Sequence, residues 1–571
     1  MQYRVPVDEM AFCADSVGQG QLGETELFAE AGAETRTAIL DEAARMAEDV
    51  LAPLNQAGDR TPTRLENGIV RTSPGYTDGY RAIAEGGWVG LAAGPEHGGM
   101  GLPQSYAVMV NEMLASSCLS LSLCPLMSQG QIEALEAHAE PALAARLIPP
   151  LIEGRWTGTM NLSEPQAGSD VGALTTRAEA GDDGTYAITG QKIWISWGDH
   201  DLAENIVHLV LARLPGAPAG TRGISLFAVP KFLPNEEGVP GERNAIRTVS
   251  LEEKLGLHGS PTCVLAYEGA TGWLVGPEQG GMAAMFTMMN NARLGVGVEG
   301  LGVAEAATQR ALAYAQERRQ GRTSDGTATI AGHPDVRRML LTMVARTRAA
   351  RAICYDCALS IDLSRAAGSE DARAHHAARA AALTPIAKAF GTQTGMEVAD
   401  LGIQVHGGVG YVEDTGAAQL WRDVRVTAIY EGTNGIQAMD LVGRKLSVDG
   451  GRAVRALLAE VGETADALSA AGETEMARAL SSARSKAEGT TGWMLSAPEM
   501  SDRFAGASPY LRMMGLTLGA HHLARAALRD PERRTVAAFF LGQLLPQAHA
   551  EAQAATQGSA TLFDWDAAAG L

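Results

Sequence analysis

The spacing of apolar positions changes period twice along the chain. Up to about residue 155, apolar side chains recur every three or four residues, as in "ETRTAILDEAARMAEDVLAPL" and "PALAARLIPPLIEGRW". That spacing predicts helices. Between them, "AAGPEHGGMGLPQSYA" is a glycine-rich break before another helix. From about 156 to 280 the period falls to two. "TTRAEAGDDGTYAITGQKIWIS" predicts strand, turn, strand, turn, strand, with Gly181, Asp182, Asp183 and Gly184, and then Gly190, as turn residues. "NIVHLVLARL" and "GISLFAVP" predict two further strands. From about 281 to 446 the helical period returns in long alanine-rich stretches, which predicts a bundle of antiparallel helices. "SVDGG" at 447–451 predicts a linker, and 452–571 is helical in tendency. The expected domains are therefore 1–155 (helical), 156–280 (β), 281–446 (helical bundle) and 452–571 (an additional helical domain).

Length and charge narrow the function. A chain of 571 residues exceeds what one hydrophobic core can serve, so several domains are expected. A formal charge of −20 argues against a general nucleic-acid binder, which needs a basic face. The tail is no exception: residues 451–571 carry 11 Lys/Arg against 13 Asp/Glu. Six cysteines are too few for a disulfide framework, and the lone pair Cys354 and Cys357 reads as two small residues on one helix face. The N-terminal stretch shows no signal peptide. Residues 113–132 are uncharged and about long enough to span a bilayer, yet their serines, glutamines and Pro125 favour a buried helix or pocket wall. A soluble, cytoplasmic protein without a membrane or nucleic-acid partner is expected. The twelve histidines show no metal-ligand spacing, so no metal site is expected.

Several short stretches carry candidate chemistry. "GVGVEG" at 295–300 matches G-x-G-x-x-G, but helical sequence lies on both sides. A dinucleotide turn must follow a strand, so close packing of two helices is the better reading. "MNLSEPQAGSD" at 160–170 places Ser163, Glu164 and Ser169 on a strand-to-loop edge suited to a polar ring edge or a pyrophosphate; an ordinary turn is the alternative. "QKIWISWG" at 191–198 alternates, which puts Trp194 and Ser196 on one strand face, against core packing as the plainer account. "QVHGGVGY" at 404–411 is a glycine loop able to admit a phosphate or ribose, or simply to join two helices. In "YEGTNGIQ" at 430–437, a single carboxylate, Glu431, sits where the chain must turn.

Taken together, "LSEPQAGSD", "WISWG", "QVHGGVGY" and "YEGT" resemble, in order, motifs of the acyl-CoA dehydrogenases. The resemblance runs from roughly 40 to 446. It implies a mainly α fold with a central β-domain: an N-terminal helical domain, a middle β-barrel-like domain, a C-terminal helical bundle and here an extra C-terminal helical domain. The lengthened N-terminus, "HDLAENIVHLVLARLPGAPAGTRGISLFAVPKFLP" and the tail are similar to one branch of the family. That branch includes the 3-methylmercaptopropionyl-CoA dehydrogenases of dimethylsulfoniopropionate catabolism.

The resemblance implies FAD as cofactor and an acyl-CoA thioester as substrate. It implies Glu431 as the base taking the α-proton while a hydride leaves the β-carbon. Ser163, Trp194 and Ser196 match flavin-contacting positions, and Ser169 matches a contact to the pyrophosphate or pantetheine. Serine replaces the usual threonine at 163 and 196, which keeps the hydroxyl and loses the methyl. Arg318 matches an arginine reaching the FAD diphosphate of a neighbouring subunit, although Gln320-Gly321 replaces the usual Phe-Gly after it. Gln404, Gly407 and Gly408 would receive the adenosine half across a dimer. Thr433 and Gln437 would lie near the cofactor, whereas Gly435 stands where glutamine is frequent. Arg293, Tyr430 and Gly432 match positions near the substrate. An electron-transferring flavoprotein is the implied acceptor, and a homodimer or homotetramer the implied assembly. Two other readings stay open: an acyl-CoA oxidase, and a non-catalytic flavoprotein of the same fold binding DNA or a protein through its tail.

Overall fold

A computed structural model describes residues 3–235 and 238–566. Residues 1–2 of the expected first domain, 236–237 of the β region and 567–571 of the tail lie outside the described residues. The helices in chain order are α1 (Val7–Val17), α2 (Ala33–Met46), α3 (Ala52–Arg60), α4 (Tyr76–Glu85), α5 (Gln104–His138) and α6 (Pro141–Ile152). After the strands come α7 (Gly281–Glu317), α8 (Pro334–Ala366), α9 (Glu370–His406), α10 (Ala417–Val424), α11 (Asn434–Asp440) and α12 (Leu446–Asp449). The tail holds α13 (Arg452–Ala470), α14 (Thr474–Ser496), α15 (Met500–Ala505), α16 (Ala507–Arg529), α17 (Arg534–Phe539), α18 (Gln547–Ala555) and α19 (Ala560–Asp564). The chain divides into two compact units, one of residues 42–292 and one combining 3–41 with 293–571.

In the unit of residues 42–292, α5 is the long uncharged helix expected from the sequence. Its apolar window is long enough to cross a membrane, yet 94% of it is buried inside the protein. The strands are β1 (Arg64–Glu66), β2 (Ile69–Arg71), β3 (Trp156–Asn161), β4 (Arg177–Ala180), β5 (Tyr186–Ser196) and β6 (Asn205–Arg213). They continue with β7 (Ile224–Pro230), β8 (Phe232–Pro234), β9 (Pro240–Arg243), β10 (Ile246–Leu251) and β11 (Thr262–Val275). Seven of these make one sheet around a core that includes Ile188, Val210, Phe227, Leu265 and Tyr267.

Pairings run β4–β5–β11–β7–β6 and return to β4, with β10 and β3 on the outside. This corrects the expected barrel-like domain: the sheet is a ring, not a barrel. A barrel needs a continuous ladder at every seam. Here β4 and β6 join through the single pair Arg177–Arg213, and β11 shifts register twice against β5. Gly190 is a second correction, since it lies inside β5 opposite Tyr267 rather than in a turn. Its lack of a side chain serves close approach, for a Cβ there would stand 2.4 Å from Thr176 Oγ1.

In the other unit, α7, α8 and α9 form the expected bundle of long helices. Here α8 runs antiparallel to α7 (Arg351 to Glu305, Thr347 to Thr308) and to α9 (Asp356 to Arg379, Arg346 to Glu397). The tail helices pack on them, α16 against both α8 and α9. "GVGVEG" lies within α7, and its glycines do allow close helix approach. A Cβ on Gly297 would stand 2.7 Å from the Ala387 carbonyl, and one on Gly300 2.4 Å from the Gly391 carbonyl. Cys354 and Cys357 are both buried on α8. The expected linker at 447–451 is instead the end of α12 followed by a two-glycine turn into α13. Gly450 and Gly451 are left-handed, and Asp449 accepts from the N–H groups of Gly451, Arg452 and Ala453 at 2.7–3.0 Å.

Candidate active site

Glu431 sits between a single 3-10 turn (Arg425–Ala428) and α11. Its φ is +55° and that of Gly432 is +81°, so two successive left-handed residues reverse the chain. Glycine adopts this readily; a glutamate does so at a cost, and such residues concentrate where function requires them. Thr433 caps α11, its Oγ1 accepting from Ile436 N–H at 3.1 Å. Gln437 is fully buried, and its amide donates to the carbonyls of Glu431 and Gly432 at 3.3 Å each. Among the described residues, neither the Glu431 carboxylate nor its backbone N–H has a hydrogen-bond partner.

The surroundings set the carboxyl's proton affinity. Burial pushes Glu431 up to about 7, against the opposing pull of Arg293 and Lys388. Arg293 is 5% exposed, and its guanidinium lies 3.8 Å from Asp440 Oδ2. The Tyr430 hydroxyl donates to Glu299 of α7. A carboxyl with a free oxygen pair, raised toward neutrality, can accept a proton near pH 7; an ordinary glutamate near 4.3 is far weaker as a base. Tyr430, Glu431, Gly432, Thr433, Gln437 and Arg293 all belong to the same compact unit.

A second group lies where the ends of α7 and α9 meet, with Tyr314 stacked on His406 at 4.4 Å between ring centroids. Arg318 follows α7 and its side chain is exposed. Gln404 lies on the last turn of α9, and Gly407 (φ +64°) and Gly408 follow it. Added Cβ atoms on either glycine would meet nothing within 4 Å, so the loop is open to a ligand. Val409, Tyr411 and Val412 beside it are exposed, Tyr411 by 84%.

The other unit holds the remaining residues. The loop after β3 turns at Glu164 and Ala167, which pair their backbones at 3.0 and 2.9 Å. Glu164 is its anchor, accepting from Thr175, Thr176, Gln166 and the fully buried ammonium of Lys192 at 2.9 Å. Lys192 and these hydroxyl and amide donors hold Glu164 down at about 2 although burial works the other way, so the carboxylate stays charged. Ile193 N–H donates to the Ser163 carbonyl at 3.0 Å, tying this loop to β5. Trp194 is at φ +63° and 57% exposed, which overturns core packing for it. Among the described residues, the hydroxyls of Ser163, Ser169 and Ser196 have no hydrogen-bond partner. An exposed indole on a strained backbone beside free hydroxyls fits a flat, polar-edged ring such as a flavin. Lys388 and Glu299 lie outside the chemistry expected from the sequence, and Asn434, although inside "YEGTNGIQ", carried no role there. The only signals were an isolated lysine in "LTPIAKAF" and the carboxylate inside "GVGVEG".

Comparison with known proteins gives matches to four family models: acyl-CoA dehydrogenase N-terminal domain (residues 33–155), middle domain (159–270) and C-terminal domain (279–446), and an acetyl-CoA dehydrogenase C-terminal-like domain (457–566). The chain is similar to a 3-methylmercaptopropionyl-CoA dehydrogenase of Ruegeria pomeroyi, with 44% identity over 92% of this chain and 91% of the relative. It is also similar to a butyryl-CoA dehydrogenase of Syntrophomonas wolfei, with 35% identity over 76% and 73%. Its fold matches an acyl-CoA dehydrogenase from Bacillus anthracis complexed with FAD, at a TM-score of 0.75 and 20% identity over 91% and 88% of the two chains.

Proposed function

The chain belongs to the acyl-CoA dehydrogenase family and is an FAD-dependent enzyme; on that premise we propose that it oxidises a short acyl-CoA to the 2-enoyl-CoA with Glu431 as base. The observation that carries this is the state of Glu431: a partnerless carboxylate raised to about 7, on a left-handed turn whose own N–H is also free among the described residues. The carboxylate takes the α-proton. Its N–H is available to the thioester carbonyl, where it would stabilise the charge that develops as the α-proton leaves. Arg293 and Lys388 oppose the rise in proton affinity, so the group stays substantially ionised near neutral pH. FAD, when bound, supplies the two-electron oxidant that accepts the β-hydride.

Ser163, Trp194, Ser196, Thr433 and Gln437 are the proposed contacts to the ring half of the cofactor, and Ser169, Arg318, Gln404, Gly407 and Gly408 to its diphosphate and adenosine half. Tyr430 and Gly432 are proposed beside the substrate. The identity to the Ruegeria pomeroyi enzyme over nearly the whole length supports 3-methylmercaptopropionyl-CoA as substrate. An electron-transferring flavoprotein as acceptor, a homodimer or homotetramer, and the four-segment division 1–155, 156–280, 281–446 and 452–571 complete the proposal. A cytoplasmic location fits six free, buried cysteines.

The test is anaerobic titration of the yellow holoenzyme with 3-methylmercaptopropionyl-, butyryl-, longer-chain and phenylpropionyl-CoA. Bleaching by the first at the lowest concentration is expected, and Glu431→Gln should keep the flavin spectrum yet lose bleaching. Full activity in that variant would sink the assignment of the base. Hydrogen peroxide in stoichiometric amounts during aerobic turnover would instead identify an oxidase.

A further inference from the structure

Two buried ionisable side chains lie against the turn that carries Glu431; the reaction outlined above gives Lys388 only a share in the electrostatics of the base, and Glu299 no task at all. Lys388, on α9, is fully buried, and its ammonium donates to the Thr427 carbonyl at 2.8 Å and to Asn434 Oδ1 at 3.0 Å. Those acceptors bracket the base in the chain: Thr427 lies in the 3-10 turn before it, and Asn434 opens α11 after it. Thr392, four residues further along α9, accepts from Asn434 Nδ2 at 3.1 Å. The second group, Glu299 of α7, is 2% exposed and receives the Tyr430 hydroxyl on Oε2. Its Oε1 has no hydrogen-bond partner among the described residues.

A buried ammonium is costly, and a turn needs no cation to hold its shape. Among the described residues, no carboxylate lies within ion-pair distance of Lys388; both of its partners are neutral oxygens of the turn. Its charge is therefore directed at the turn and at the acids around it. Burial lowers Lys388 to about 8, and Glu431 and then Glu299 are the acids that hold it up. Burial raises Glu299 to about 8, so it is largely a neutral acid while Glu431 titrates.

We propose that Lys388 and Glu299 are positioning residues for the base, Lys388 clamping both ends of the Thr427–Asn434 turn and setting its charge beside Glu431, Glu299 fixing the Tyr430 ring by accepting its hydroxyl. This rests on Glu431 being the base. The charged and titratable groups around Glu431 are Arg293 and Glu299 from α7, Lys388 from α9 and Tyr430 beside it, with Asp440 and Arg444 acting through Arg293.

The test is the pH dependence of single-turnover flavin bleaching in the FAD-loaded enzyme, with butyryl-CoA and 3-methylmercaptopropionyl-CoA. Lys388→Met removes the cation, so the acid limb should move up by about one unit or more, as loss of a nearby opposite charge does. The rate should then fall about tenfold at pH 6 and recover by pH 9, while Lys388→Arg keeps the wild-type limb. Glu299→Leu, which leaves the Tyr430 hydroxyl without its acceptor, should slow bleaching, with Glu299→Gln, which keeps an acceptor oxygen, restoring most of the rate; a wild-type rate in Glu299→Leu overturns the part given to Glu299. A flavin-loaded Lys388→Met with the wild-type profile, or with the same loss at every pH, overturns the proposal. If Lys388→Met does not accumulate folded, Asn434→Ala decides. It should slow bleaching with the acid limb unmoved, and an unchanged rate overturns the clamp. Bleaching that survives in Glu431→Gln would overturn the base assignment instead, so the two failures are distinguishable.

Discussion

A glutamate at φ +55° with an unpaired N–H is a residue held away from its own preferences. That has a consequence for stability. Glu431 sits at about 7 in the folded chain against an ordinary value of 4.5, so the folded state holds the proton more tightly than the unfolded state. Between pH 4.5 and 7 the folded chain therefore binds more protons, and this group's contribution to stability falls as pH rises. Glu431→Gln removes the penalty. At pH 8 the variant should be more stable than wild type by on the order of 2–3 kcal/mol, with the difference vanishing near pH 4.5. Paired thermal melts of both proteins across pH 4.5–8 measure it. Equal melting temperatures at pH 8 would show that burial does not charge the base with this cost. The sequence marked Glu431 because a carboxylate between an aromatic and a glycine stood out. It could not mark Lys388, whose role depends on which turn α9 passes beneath.

Helix-to-helix approach decides much of the bundle. Gly297 and Gly300 on α7 face Ala387 and Gly391 on α9, with backbone atoms where Cβ atoms would go. This contact puts Glu299 on α7 and Lys388 on α9 into the layer beneath the Glu431 turn. Gly300→Ala is expected to cost about 1–3 kcal/mol through forced separation of the two helices. Gly489, exposed on α14 with nothing within 4 Å of a built Cβ, gives the opposite sign: alanine should stabilise by up to about 1 kcal/mol. Urea unfolding of both variants checks the pair, and a neutral Gly300→Ala would refute the close-approach account. The six-residue pattern was legible as a packing motif because helical sequence flanked it. The ring sheet was not legible, because strand order and bulges arise from pairings that no single strand encodes.

At the level of the whole chain, the tail is part of a core. Gly515 on α16 approaches Phe390 of α9 so closely that a Cβ would stand 2.6 Å from its ring, and Gly519 comes near Ala349 of α8. The beginning of the chain joins the same unit. Glu9 of α1 takes Arg533 at 2.6 Å and Arg348 at 3.0 Å, and Arg533 stacks over Phe12. A chain ending at residue 450 should therefore uncover apolar faces of α8 and α9, Phe390 among them, and aggregate. Soluble yield and size-exclusion chromatography report the outcome. A monodisperse, flavin-loaded truncation would show the tail to be an independent appendage.

The sequence by itself determined the periods of the elements, the order of helical, β and helical regions, and the short motifs that identify the family. Each depends on neighbours within a few turns, where side-chain spacing alone dictates which face is apolar. Tertiary structure decided the closure of the sheet into a ring, the exposure of Trp194, and the joining of α1 to the C-terminal helices. It also decided which buried charges stand against Glu431. These depend on residues far apart in sequence that share one dry interior, where a charge keeps its strength and every oxygen must find a partner.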